Sequence, residues 1–200
     1  MMKIFTSLLA LVLFCPVSWA DSMRPYQNPS LSDEERVEDL IGRMTLVEKI
    51  GQMSQYVGIE HIRKTEKNKS LEEMQAGDAQ GMYPDLHSSK MPAMIEQGEI
   101  GSFLHVKNPS EANFLQSHAS QSRLGIPLII GIDAIHGNGL VKGSTIYPTP
   151  LTMASSWNLD LVRQANVETA REMRANGAQW SFTPNVDIAR DPRWGRVGET

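Results

Sequence analysis

Two hundred residues, 40% hydrophobic and 21% charged, make an ordinary globular composition with the length of one domain, which excludes disordered and collagen-like classes. The formal net charge of −4, from 19 basic and 23 acidic residues, argues against partners held by phosphate neutralisation, so nucleic acid is not an expected ligand.

The chain opens with Lys3, an apolar run over residues 8–14, and small residues Ser18 and Ala20 ahead of Asp21. That is the layout of a secretory signal peptide over residues 1–20, too short and wrongly flanked for a membrane span. Cleavage after Ala20 removes the sole cysteine, Cys15, and leaves no disulfide or thiol chemistry. Acylation of Cys15 as a lipoprotein is the alternative, although Leu13 and Phe14 are bulky where lipid attachment favours small residues. The expected product is exported, periplasmic or secreted, with no membrane contact in its mature form.

Residues 21–95 read as a helical arm followed by a long polar excursion. Ser32 with Glu35, and Thr45 with Glu48, each have the spacing of a capping box. Val37, Leu40, Ile41 and Met44 share one helical face, as do Leu46, Val47, Ile50 and Met53, so both helices are expected to pack against something larger. From Gly58 to Lys90 the texture turns polar, with a charge run over residues 64–69, and predicts a long surface loop that is either a lid or an insert.

Residues 96–200 alternate more regularly. Residues 100–106 predict a short buried strand, and Asn108 with Pro109 opens a helix to about Arg123. Residues 128–132 predict a second strand. A helix over about 159–175 follows, with Asn158 in front and Gly177 behind, and residues 180–183 predict a third strand. Continuous apolar strands separated by helices argue for a parallel sheet covered by helices. Pattern alone leaves an open Rossmann-like sheet and a closed eight-fold barrel both standing. Either architecture puts its active site on the loops after the strands, here residues 133–139 and 185–196.

Asp133 follows an apolar strand, where a carboxylate needs a partner or a ligand. Ionised, it accepts hydrogen bonds from two neighbouring hydroxyls, as holding a sugar ring requires. The structural alternative is capping of the following turn or pairing with an arginine of the 190s loop. Arg190, Arg193 and Arg196 offer planar donor forks, of which one or two can face a pocket while the rest pair locally with Asp187, Asp191 or Glu199. Trp194 suits stacking on a sugar face or plain packing. His136 begins a His-Gly-Asn-Gly run but no nucleophile elbow occurs in the chain, so it reads as a loop-stabilising donor. The five histidines are scattered without metal-ligand spacing, and no metal or organic cofactor is expected.

Four blocks occur in order: residues 44–53, residues 123–137, Tyr147 and Pro148 with residues 154–157, and residues 190–196 running on to Glu199 and Thr200. Together they resemble the N-terminal domain of glycoside hydrolase family 3, the β-glucosidase group, over about residues 31–200. The resemblance implies an eight-fold (β/α)8 TIM-type barrel, often followed by an α/β sandwich domain, and hydrolysis of β-linked glucosides with retention by two carboxyl groups. It also implies that Asp133 and Arg196 bind sugar hydroxyls in the −1 subsite. The family's nucleophilic aspartate, its Lys-His pair and its acid/base glutamate come later and match nothing here, and Asp187, Asp191 and Glu199 are not assigned in their stead.

A complete barrel of this type takes roughly 250 residues. Three predicted strands make about its first three β/α units, preceded by the helical arm. The sequence is therefore expected to be an N-terminal fragment of a β-glucosidase, inactive by itself, whose substrate is a β-linked oligosaccharide or glucoside. A β-xylosidase of the same family, or a non-catalytic carbohydrate-binding fragment, is the alternative.

Overall fold

The computed structural model describes residues 23–68 and 87–199, so the expected signal peptide with Cys15, and residues 69–86 of the polar excursion, lie outside the described residues. The chain forms two compact units, one ending at Arg43 and one beginning at Met44.

In the first unit a 3-10 turn, Pro25–Gln27, precedes helix α1, Asp33–Arg43. The predicted capping box forms: the Glu35 N–H donates to Ser32 Oγ (3.3 Å) and the Ser32 N–H to Glu35 Oε2 (2.9 Å). Arg36 Nε donates to the Tyr26 carbonyl and the Tyr26 N–H to Asp39, which fastens the turn to the helix. The expected burial of the α1 apolar face is not found, since no residue of α1 is buried and Val37 and Ile41 are half exposed.

The second unit is an α/β fold built on four parallel strands in the order β1-β2-β3-β4. Helix α2, Leu46–Gln52, leads to β1, Gln55–Val57; α3, Ile59–Asn68, and α4, Met91–Glu96, lead to β2, Ser102–Leu104. Helix α5, Pro109–Ser120, leads to β3, Ile129–Ile132; α6, Pro150–Ala154, and α7, Leu159–Ala175, lead to β4, Trp180–Ser181. Tyr56 stands beside Phe103, Phe103 beside Ile130, and Ile132 beside Ser181.

Strand β1 and helix α3 correct the sequence reading. β1 makes four strands where three are predicted, and it lies ahead of residue 96. The beginning of the expected loop is α3, whose Ile59 and Ile62 enter the core one turn apart. The core lies between sheet and helices, with Val57, Phe103, Ile130 and Ile132 from the strands meeting Met91, Ile95 and Leu115 from the helices. Expected packing of the α2 apolar face is likewise not found: Leu46, Val47, Ile50 and Met53 are exposed.

Local chemistry accounts for the helix ends that were predicted. Asn108 Oδ1 accepts from the Glu111 N–H (2.8 Å) with Pro109 in the first turn of α5. At the far end of α7, Gly177 takes φ 91°, and the N–H groups of Gly177 and Ala178 bond the carbonyls of Arg174 and Met173. This is a complete Schellman closure that needs the left-handed residue.

Candidate active site

The sheet ladder runs one residue beyond β1, β2 and β4. The N–H of Gly58 donates to Leu104 O (2.9 Å), that of His105 to Gly131 O (2.8 Å) and that of Phe182 to Ile132 O (3.2 Å). The next residues along the chain are therefore delivered side by side at the carboxyl end of the sheet, where parallel folds carry their sites.

Asp133 is the first residue past β3, and its side chain is 40% exposed. Its partner is neither a turn N–H nor an arginine of the 190s loop. Nε2 of His105, the first residue past β2, stands 2.9 Å from Asp133 Oδ2. An ionised carboxylate only accepts, so the proton of this bond is on Nε2. Sequence reasoning missed His105 among the scattered histidines. Its one available signal was position: it follows residues 100–104 as Asp133 follows residues 128–132.

The loop after Asp133 is tied at its neck. The Tyr147 N–H donates to His136 O (2.8 Å), and His136 Nδ1 donates to Tyr147 O (3.0 Å), which fixes the imidazole tautomer and makes His136 the loop-stabilising donor expected. Gly137, at φ 93°, passes so close to Thr145 that a Cβ would stand 2.2 Å from its carbonyl oxygen.

The 190s loop holds two local ion pairs: Arg193 pairs with Asp191, as expected of a structural arginine, and Arg196, expected on the sugar, pairs with Glu199. Asp191 accepts from the Arg193 N–H (2.9 Å) and Nε (3.0 Å), which caps the 3-10 turn Pro192–Trp194. Arg196 grips Glu199 with Nε (2.9 Å to Oε1) and Nη2, while Asn185 Nδ2 donates to Glu199 Oε2 (3.0 Å). The Arg196 guanidinium is held above its ordinary pKa first by its bond to Glu199 and also by the negative charges of Asp133 and Asp187. Glu199 is correspondingly held below the usual carboxylate range by Arg196.

Arg196 and Asp133 come from the loops that follow β4 and β3, and the charge of Asp133 contributes less to Arg196 than that of Glu199. A carboxylate and a guanidinium fork are the kinds of group that suit a neutral, polyhydroxylated ligand, whose hydroxyls both donate and accept. Among the described residues no group of three or more His, Cys, Asp or Glu could hold a metal ion, and no helix is long and apolar enough to cross a membrane.

The family model described as the glycosyl hydrolase family 3 N terminal domain matches residues 45–200. A periplasmic β-glucosidase of Salmonella typhimurium is 32% identical over 87% of this chain and 20% of its own length. A putative β-xylosidase of Formosa agariphila is 30% identical over 88% of this chain and 22% of its own. Among solved structures, a β-glucosidase from Listeria innocua in complex with glucose superposes with a TM-score of 0.62 at 30% identity, covering 84% of this chain and 21% of that one. A β-glucosidase of intestinal bacteria involved in saponin metabolism gives 0.56 at 38% identity, covering 82% and 18%. The chain spans about a fifth of the length of these relatives.

Proposed function

Because this chain belongs to glycosyl hydrolase family 3, we propose that it supplies the sugar-binding part of an exported, retaining β-glucosidase. The observation that carries the reading is Asp133, the first residue past β3, held by His105 at the carboxyl end of one parallel sheet. Asp133 Oδ2 is taken by His105, which leaves Oδ1 to accept from sugar hydroxyls. The Glu199 pair uses Nε and Nη2 of Arg196, which leaves Nη1 to donate to them.

On this reading the four strands open an eight-fold barrel, with α1 and its turn as an arm ahead of it. The attacking carboxylate and the proton donor of two-carboxylate hydrolysis come from segments outside this sequence, as the resemblance implies. Export is supported by the layout of residues 1–20 and by the periplasmic description of the Salmonella relative. A β-xylosidase is the second reading, favoured by the description of the Formosa relative and by ring hydroxyls that glucose and xylose share.

The test uses the full-length protein that carries this sequence, assayed on aryl β-glucoside and aryl β-xyloside. Hydrolysis of the glucoside is expected to prevail, and a higher kcat/KM on the xyloside selects the second reading. Asp133→Ala is expected to lower kcat/KM by roughly 100- to 10,000-fold, the worth of two hydrogen bonds to a charged group. An unchanged kcat/KM in that variant removes Asp133 from the sugar site. The 200-residue chain by itself is expected to give no turnover, so measurable hydrolysis by it refutes the assignment of both reacting carboxyl groups elsewhere.

A further inference from the structure

His105 takes φ 59°, a left-handed backbone that non-glycine residues hold only when their surroundings impose it, and such residues concentrate at functional sites. Here three contacts impose it. The His105 N–H is bonded to Gly131 O, its carbonyl borders Gly58 so closely that a Cβ there would stand 3.2 Å away, and its ring reaches Asp133 Oδ2.

We propose that His105 is a positioning residue for the sugar ligand: it anchors one oxygen of Asp133 and thereby fixes the direction in which the other is presented. This rests on the reading of Asp133 as a sugar-binding carboxylate. A terminal carboxylate otherwise turns freely about its last side-chain torsion, because that torsion has broad, roughly two-fold wells. Anchoring Oδ2 from Nε2–H removes that freedom before the ligand arrives, as preorganised sites require. The pair remains open to a ligand, with the His105 side chain 27% exposed and that of Asp133 40%. The left-handed backbone and the bond to Asp133 thus meet in one residue, at the junction of β2 and β3.

Two substitutions separate this role from a structural one, because glycine tolerates the left-handed backbone without a side chain and glutamine carries an amide N–H at the reach of Nε2. In the full-length protein, His105→Gly removes the ring and the strain together. It is expected to lower kcat/KM on an aryl β-glucoside roughly ten- to a hundredfold and to raise the inhibition constant of glucose in parallel, with Tm unchanged or higher. His105→Gln places an amide N–H where Nε2 stands and is expected to recover most of that loss.

A drop in Tm with unchanged kcat/KM for His105→Gly assigns the residue to stability alone and overturns the proposal. Loss in His105→Gly without recovery in His105→Gln also overturns it, because ring bulk then matters and not the hydrogen bond. Asp133→Asn, measured alongside, tells the two readings apart. If Asp133→Asn is impaired and His105→Gly is not, positioning by His105 fails by itself; if neither is impaired, the sugar-site reading has failed first.

Discussion

Arg123 stands 75 positions from Glu48, yet its Nε and Nη2 donate to the two Glu48 oxygens at 3.0 and 2.5 Å. Glu48 also closes the capping box of α2, accepting from the Thr45 N–H (2.8 Å) and hydroxyl (3.0 Å). One carboxylate thus joins two of the sequence blocks that carry the family resemblance. Its side chain is only 9% exposed, and the Arg123 guanidinium, seconded by Thr45, holds its carboxyl below the usual range against the opposing effect of burial. Arg123→Ala leaves that charge poorly compensated and is expected to cost about 1–3 kcal/mol at neutral pH, as read by urea unfolding. The folded-state pKa lies below the unfolded one, so this stabilisation is present above the ordinary glutamate value of about 4.3 and is lost as pH falls through the folded value. The gap between wild type and variant should therefore shrink in acid. A gap independent of pH would show that Arg123 acts through packing alone. The Thr45–Glu48 cap was legible from spacing; the arginine was not, because its approach is set by the fold.

At the scale of elements, the predicted strands were legible because residues 100–106 and 128–132 concentrate apolar side chains between polar segments, with Gly98 and Pro127 ahead of them. Strand β1 was not, because Gln55-Tyr56-Val57 is three residues long and takes its order from β2. Helix α3 was hidden by its composition, with only Ile59 and Ile62 apolar ahead of a charge run. It forms because those two side chains enter the core and because Glu111, 51 positions away on α5, accepts from the Glu60 N–H at 2.9 Å. Gly58 makes room for that carboxylate, since a Cβ there would stand 2.9 Å from Glu111 Oε1. A non-local cap of this kind leaves no trace in the helix's own sequence. Burial pushes the Glu111 carboxyl up, outweighing the N–H donors that pull it down. With the folded-state value raised, the favourable contribution of Glu111 exists below the unfolded pKa and is lost as pH rises through the folded one. Glu111→Gln keeps an acceptor for Glu60 and removes the buried charge. It is expected to be neutral or stabilising at pH 7, by no more than about 1 kcal/mol, and to destabilise relative to wild type near pH 4. Thermal unfolding of the two proteins at both pH values checks this, and a variant less stable at pH 7 than at pH 4, relative to wild type, reverses the sign and refutes it.

Across the whole molecule, the site was more legible than the surface around it. Asp133 stood out because a charged residue directly after an apolar strand announces the strand's carboxyl end, and Arg196 was told from its neighbouring arginines only by the family resemblance, whereas the outer limits of a parallel sheet have no signature in any one strand. Among the described residues β1 and β4 are the sheet's edges, and purely parallel sheets are ordinarily buried on both faces. The second unit also exposes large apolar side chains on several elements: Met53 at 79%, Trp157 at 92% and Val186 at 85%, with Leu46, Leu159 and Ile188. Apolar surface on this scale is characteristic of interfaces, and in isolation it drives association. Residues 21–200 produced alone are therefore expected to bind a hydrophobic dye and to self-associate with rising concentration, measured by fluorescence and light scattering. The full-length protein, in which further strands and helices cover these faces on the barrel reading, is expected to do neither. A monodisperse, dye-silent monomer of residues 21–200 would mean that these side chains are tolerated in water as they stand, and the argument that they await the rest of a barrel would fall.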